Sequence, residues 1–162
     1  MNIELERRAK QIGLNLLNNE MLRLRLGWEF VRRISGNFED ERVRVAFHGF
    51  ESFLAGGMAR ADFDELVQAI QQLASQHPGS QSIDGSQHAA VSATYALAKA
   101  MSGDFLQAAD YAAYSQVYGY GGYAVTDPAA FDDEFRAQVS IFDLLVAGLD
   151  SNIAAKSSID PI

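Results

Sequence analysis

The chain has 162 residues, is 48% hydrophobic and carries a formal net charge of -8, which is enough apolar material for a well-filled core of one domain. It contains no cysteine, so disulfides, thiolate metal sites and cysteine nucleophiles are excluded. The charge is lopsided: residues 1–60 hold ten Lys and Arg against eight Asp and Glu, whereas residues 61–162 hold three against thirteen, which disfavours nucleic acid and anionic membranes as partners, since both are bound through Lys and Arg, and allows a basic protein.

Solubility is the plainer account of the same acidity. The N-terminus, MNIELERRAK, has charges where a signal peptide needs an apolar run. No apolar stretch approaches the ~20 residues that span a bilayer, so a soluble, cytoplasmic protein is expected.

Apolar residues recur at helical spacing almost throughout. A first helix is predicted over residues 3–17, with Asn2 as N-cap and Ile3, Ile12, Leu16 and Leu17 facing inward. After a turn at Asn18-Asn19, a second covers 20–34, with Met21, Leu24, Trp28 and Val31 on one face; Ser35-Gly36 ends it. Asn37 is the expected cap of a third helix, with Asp40 three residues on, a stripe of Val43, Phe47, Phe50 and Leu54, and a left-handed stop at Gly56-Gly57. Asp62 and Glu65 form a capping pair for a fourth, whose stripe is Phe63, Leu66, Ile70 and Leu73.

The run HPGSQSIDGSQ, 77–87, is the longest loop. Ser86 caps a fifth helix with Val91, Tyr95, Ala98 and Met101 inward; Ser102-Gly103 breaks it and Asp104 caps a sixth. Thr126 or Asp127 caps a seventh, with Pro128 at its favoured first position and Phe131, Phe135, Val139, Phe142, Leu145 and Leu149 as its core face. No run alternates cleanly between hairpin turns. The expectation is a single all-α domain over 1–150, an irregular bundle or short helical stack of about seven helices, with a frayed tail at 151–162.

The most distinctive stretch is 108–134, which holds five of the six tyrosines. On the sixth helix Phe105, Ala108, Ala109, Ala112 and Gln116 share one side, an alanine-rich face that admits close approach of another helix. Tyr111, Tyr114 and Tyr118 form a stripe beside it, and Tyr120 and Tyr123 follow from a loop with Gly119, Gly121 and Gly122. Such tyrosines either edge the core with hydroxyls outward or anchor a partner, since tyrosine offers large contact area at little entropy cost. Asp127, Asp132, Asp133 and Glu134 suit the positive end of the last helix. Four acids in eight residues exceed what that requires, so together with Asp110 they are also candidates for a partner-binding surface.

No catalytic or metal constellation emerges, and no cofactor is implied. His48, His77 and His88 lack H-E-x-x-H spacing, no G-x-S-x-G elbow occurs, and no D-x-D-x-D-G calcium pattern is found. Asp84 could orient His88 but has no nucleophile to serve. Asp132 and Asp133, as helix neighbours, point about 100° apart.

The order Asp110-Tyr111-Ala112-Ala113-Tyr114, Gly121-Gly122, then an acidic turn and Glu134-Phe135 opening the last helix, together with AAVSATYALAKA at 89–100, resembles the all-α immunity proteins of bacterial polymorphic toxin systems, in particular immunity-protein family five. The resemblance spans about residues 86–149 and departs from that family in a last helix without tryptophan. It implies a small cytoplasmic protein that binds and blocks a cognate toxin. Two other classes stand beside it: a non-catalytic helical scaffold or adaptor that binds a peptide or self-associates, and a small-ligand enzyme. A toxin gene beside its own would mark an immunity protein, and a closed apolar pocket with convergent polar groups would mark an enzyme.

Overall fold

A computed structural model describes residues 1–76, 86–119 and 127–159, with side chains placed throughout these except at 86–87 and 149–159. The protein is all-α: eight helices lie among the described residues, α1 (Ile3–Ile12), α2 (Leu14–Leu17), α3 (Glu20–Arg32), α4 (Glu41–Leu54), α5 (Arg60–Ser75), α6 (Ser86–Met101), α7 (Phe105–Gly119) and α8 (Asp132–Ile159). Single 3-10 turns, Ser35–Asn37 and Pro128–Phe131, precede α4 and α8. None of these helices is long and apolar enough to cross a membrane.

Several punctuation marks act as their residue types demand. Gly56 and Gly103 take positive φ of 83° and 86° at helix ends, where a side chain would be strained. Asp104 accepts the Gln107 N–H at 3.2 Å and Asp127 the Ala129 N–H at 3.0 Å. Others differ from expectation. The helix expected over 3–17 breaks at Gly13, whose φ of 60° and ψ of -124° lie outside the helical region. The inward face also differs: Ile3 is 72% exposed and Leu17 is exposed, while Leu5 and Ala9 are buried instead. Met21, assigned to the inner face of α3, is also exposed.

Asp40 rather than Asn37 caps α4, accepting the Arg42 N–H at 2.8 Å. The Asn37 amide donates instead to the Ser115 hydroxyl at 2.9 Å. The cap position of α5 is Ala59, with no side-chain hydrogen bond, so Asp62 lies inside the first turn and Glu65 beyond it rather than forming a capping box. α8 continues to Ile159, into the segment expected to fray.

The core is organised around α6, which packs against α3, α4, α5 and α7. A helix contacted from several sides must be apolar on several sides, and α6 buries Ala93, Ala96, Leu97, Ala98, Ala100 and Met101. The larger Val91 and Tyr95, expected inward, are half-buried. Small residues bring the backbones together. A Cβ on Gly27 of α3 would lie 2.9 Å from the Ala100 Cα. Across α6 and α7 the Ser115 hydroxyl donates to the Ala89 carbonyl at 2.7 Å. The alanine-rich face expected on α7 is this contact: Ala108, Ala109, Ala112 and Ala113 are all buried.

α1 and α8 close the structure through a buried polar chain. Asn2 caps α1 by accepting the Leu5 N–H at 3.2 Å, and its amide donates to the Gln138 Oε1 at 3.0 Å and to the Phe135 carbonyl at 3.1 Å. Gln138, fully buried, passes its own amide hydrogen to the Ala109 carbonyl of α7 at 2.8 Å. One side chain at the chain's second residue thus sets α8 against both α1 and α7.

Candidate functional site

α6 and α7 run antiparallel, and their ring pairs show the register. Tyr95 stacks on Tyr111 with centroids 5.3 Å apart, and His88 lies against Tyr118 at 5.2 Å, two helical turns further along both helices. The predicted tyrosine stripe therefore divides. Tyr111 belongs to the core edge, packed against the buried cluster beside Tyr95. Tyr114 and Tyr118 continue into a separate aromatic row.

That row crosses three elements. Tyr118 stacks on Tyr114 at 6.3 Å, Tyr114 meets Phe131 edge-on at 5.4 Å and 81°, and Phe131 stacks on Phe135 at 5.8 Å. The 3-10 turn Pro128–Phe131 makes this possible. Asp127 caps the turn, and α8 starts only at Asp132. The expected core face of α8 thus begins with rings outside the core, and Phe142 further along is the buried member. Phe131 and Phe135 are half-buried and line a groove of about 340 Å³ together with Asp110, Tyr114, Tyr118 and Asp127. Tyr114 is 40% exposed there.

The acids divide as well. Asp110 and Asp127 line the groove. Asp110 accepts the Asn2 N–H at 3.2 Å, and burial pushes its carboxyl above the ordinary range, against the opposing pull of the Met1 amino group and of that hydrogen bond. Asp132 and Asp133 stand exposed on the first turn of α8, where Asp133 pairs with Arg136. Glu134, expected among the surface charges, is turned inward and is 5% exposed. Its carboxylate accepts two hydrogen bonds from Arg33, each of 2.9 Å. The reason is helical geometry: one residue past Asp133 the side chain has rotated by about 100°, toward α3.

Tyr120 and Tyr123, with Gly121, Gly122, Asp84 and His77, lie outside the described residues. His48 is exposed beside Glu51, at 3.9 Å. Among the described residues no group of three or more His, Asp or Glu side chains is placed to hold a metal ion.

Sequence reasoning missed Phe131, Phe135 and His88 as members of the aromatic surface. The available signal was Asp127-Pro128 followed four residues later by Asp132-Asp133: two successive helix-start signatures, which mark a short turn before the main helix. Comparison of the chain with family models, with curated proteins and with solved structures finds no match.

Proposed function

We propose that the protein is a non-catalytic binding partner of the immunity type, which holds a cognate toxin through its acidic, aromatic surface and so blocks it, working in the cytoplasm where the toxin would act. The observation that carries this reading is the groove in which Tyr114, Tyr118, Phe131 and Phe135 stand beside Asp110 and Asp127, with Asp132 and Asp133 exposed nearby. Accessible aromatic rings flanked by acidic side chains are what a tight, steered protein interface needs: the rings supply contact area to desolvate and the charges raise the encounter rate with a basic partner. Nothing in that surface suits nucleic acid, which an acidic patch repels.

The test has two stages. The protein, immobilised, captures its partner from a lysate of the source cells, and the captured protein is then expressed alone and together with this chain. The expected result is growth arrest in the first case and relief in the second. A captured protein that is harmless alone, or whose toxicity is unchanged by co-expression, would sink the proposal.

A further inference from the structure

We infer that the groove between α7 and the turn Pro128–Phe131 receives an arginine side chain of the protein partner, the guanidinium lying against the Tyr114–Phe131–Phe135 rings and hydrogen-bonded to Asp127 and Asp110. The inference deepens the binding function proposed above and rests on it. Three observations support it. The groove, at about 340 Å³, has room for one long side chain. Its walls are ring faces and edges in an unbroken row, with successive centroids 5.4–5.8 Å apart from Tyr114 through Phe131 to Phe135. A planar, weakly hydrated cation stacks on such a surface better than a compact ammonium does.

The two carboxylates supply the charge. One oxygen of Asp127 accepts the Ala129 N–H and one of Asp110 the Asn2 N–H. Among the described residues no Lys or Arg side chain pairs with either acid. The Met1 amino group lies 3.9 Å from Asp110. Burial of Asp110 raises it toward protonation against the pull of the Met1 amino group, which also lines the groove, and an arriving guanidinium adds to that pull. An apolar side chain in the same place would desolvate both acids and leave them unpaired. An acidic one would be repelled.

The probe is the tripeptide Gly-Arg-Gly, acetylated and amidated, titrated into the 15N-labelled protein, with the citrulline and lysine tripeptides as controls. Citrulline keeps the shape of arginine and removes its charge. The expected result is saturable shifts confined to residues 110–118 and 127–135 with the arginine peptide, weaker ones with lysine, and none with citrulline. Asp127→Asn should weaken arginine-peptide binding by about tenfold. It should leave the fold intact, because Asn caps a helix start as well as Asp does. Phe131→Leu, which keeps apolar volume but removes the ring, should weaken it as well. Citrulline binding equal to arginine, shifts centred elsewhere, or unchanged affinity in both variants would overturn the assignment. If instead the arginine peptide binds as expected while the captured partner proves harmless, the toxin reading fails and the arginine site stands.

Discussion

Arg33, just past the end of α3, grips Glu134 in the first turn of α8 with two parallel hydrogen bonds, Nε to Oε1 and Nη2 to Oε2, both 2.9 Å. The carboxylate is almost wholly buried while the guanidinium keeps partial contact with water. Two-pronged geometry fixes orientation as well as distance. It holds the start of α8, and with it Phe131, Phe135, Asp132 and Asp133, in place against the rest of the protein. Glu134 thus acts on the candidate surface from behind.

Replacing Glu134 by Gln should destabilise the protein by about 1–3 kcal/mol, at the lower side of what a fully buried ion pair would cost, because Arg33 can turn to solvent. Urea denaturation checks this. Partner association measured against salt should keep the wild-type slope in this variant, since an inward charge does not steer. A flattened slope would show that Glu134 is sensed from outside.

Asp132→Asn with Asp133→Asn should do the reverse. Both residues are exposed, so stability should change by only a few tenths of a kcal/mol. The association rate should fall and its salt dependence flatten, with little change in dissociation. Surface plasmon resonance at several salt concentrations separates these.

The tyrosines make a matched pair. Tyr114→Ala should speed partner dissociation, costing about 2 kcal/mol of binding as aromatic anchors do. Tyr111→Ala, which removes a ring stacked on Tyr95 at the core edge, should lower the melting temperature while binding kinetics stay near wild type. Equal effects on binding from both would mean that the whole α7 stripe faces the partner.

Gly27→Ala should destabilise by about 1–3 kcal/mol, because the added methyl would meet the Ala100 Cβ at 2.8 Å and its Cα at 2.9 Å, below any normal contact. Adding Ala100→Gly removes only the Cβ, so the double variant should recover part of the loss and not all of it. Full recovery, read from the urea midpoint, would show that α3 and α6 are not held at this separation.

Acid sensitivity should have two components of opposite sign. Hydrogen bonds from Arg7 and Arg8 lower the Glu4 carboxyl to about 2. The folded state then binds fewer protons than the unfolded one, so this contribution is present above the ordinary value near 4.5 and is lost as pH falls toward 2. Asp110 is raised by burial. There the folded state holds the proton more tightly, so stability is gained as pH falls through its raised value. Denaturation midpoints across pH 2–7 should therefore fall less steeply on the acid side in Glu4→Gln and more steeply in Asp110→Asn than in wild type.

What the sequence determined by itself was local. The helical class, the stops at Gly56 and Gly103, the cap at Asp104 and the alanine face of α7 all follow from residues within a few positions of one another, because capping, left-handed stops and one-face periodicity act over a single turn, whereas Asp127, expected with Thr126 as a cap of the last helix, caps the separate turn Pro128–Phe131. The break at Gly13 was legible in principle and outweighed by the apolar pattern on either side. The remaining features depended on which element arrived from elsewhere in the chain. Val91 and Tyr95 are large apolar residues of α6 left half-buried, yet small Ala93, Ala96 and Ala100 are buried because α3, α4, α5 and α7 crowd that helix from several sides. Asp133 and Glu134 are neighbours of the same charge, and only the placement of Arg33, 101 residues away, turns one into an internal tie and leaves the other at the surface. The groove exists because the turn Pro128–Phe131 and the start of α8 pack beside α7, where Phe131 meets Tyr114 edge-on. Burial and encounter are properties of a pair of surfaces, and one segment's periodicity specifies only its own half of the pair.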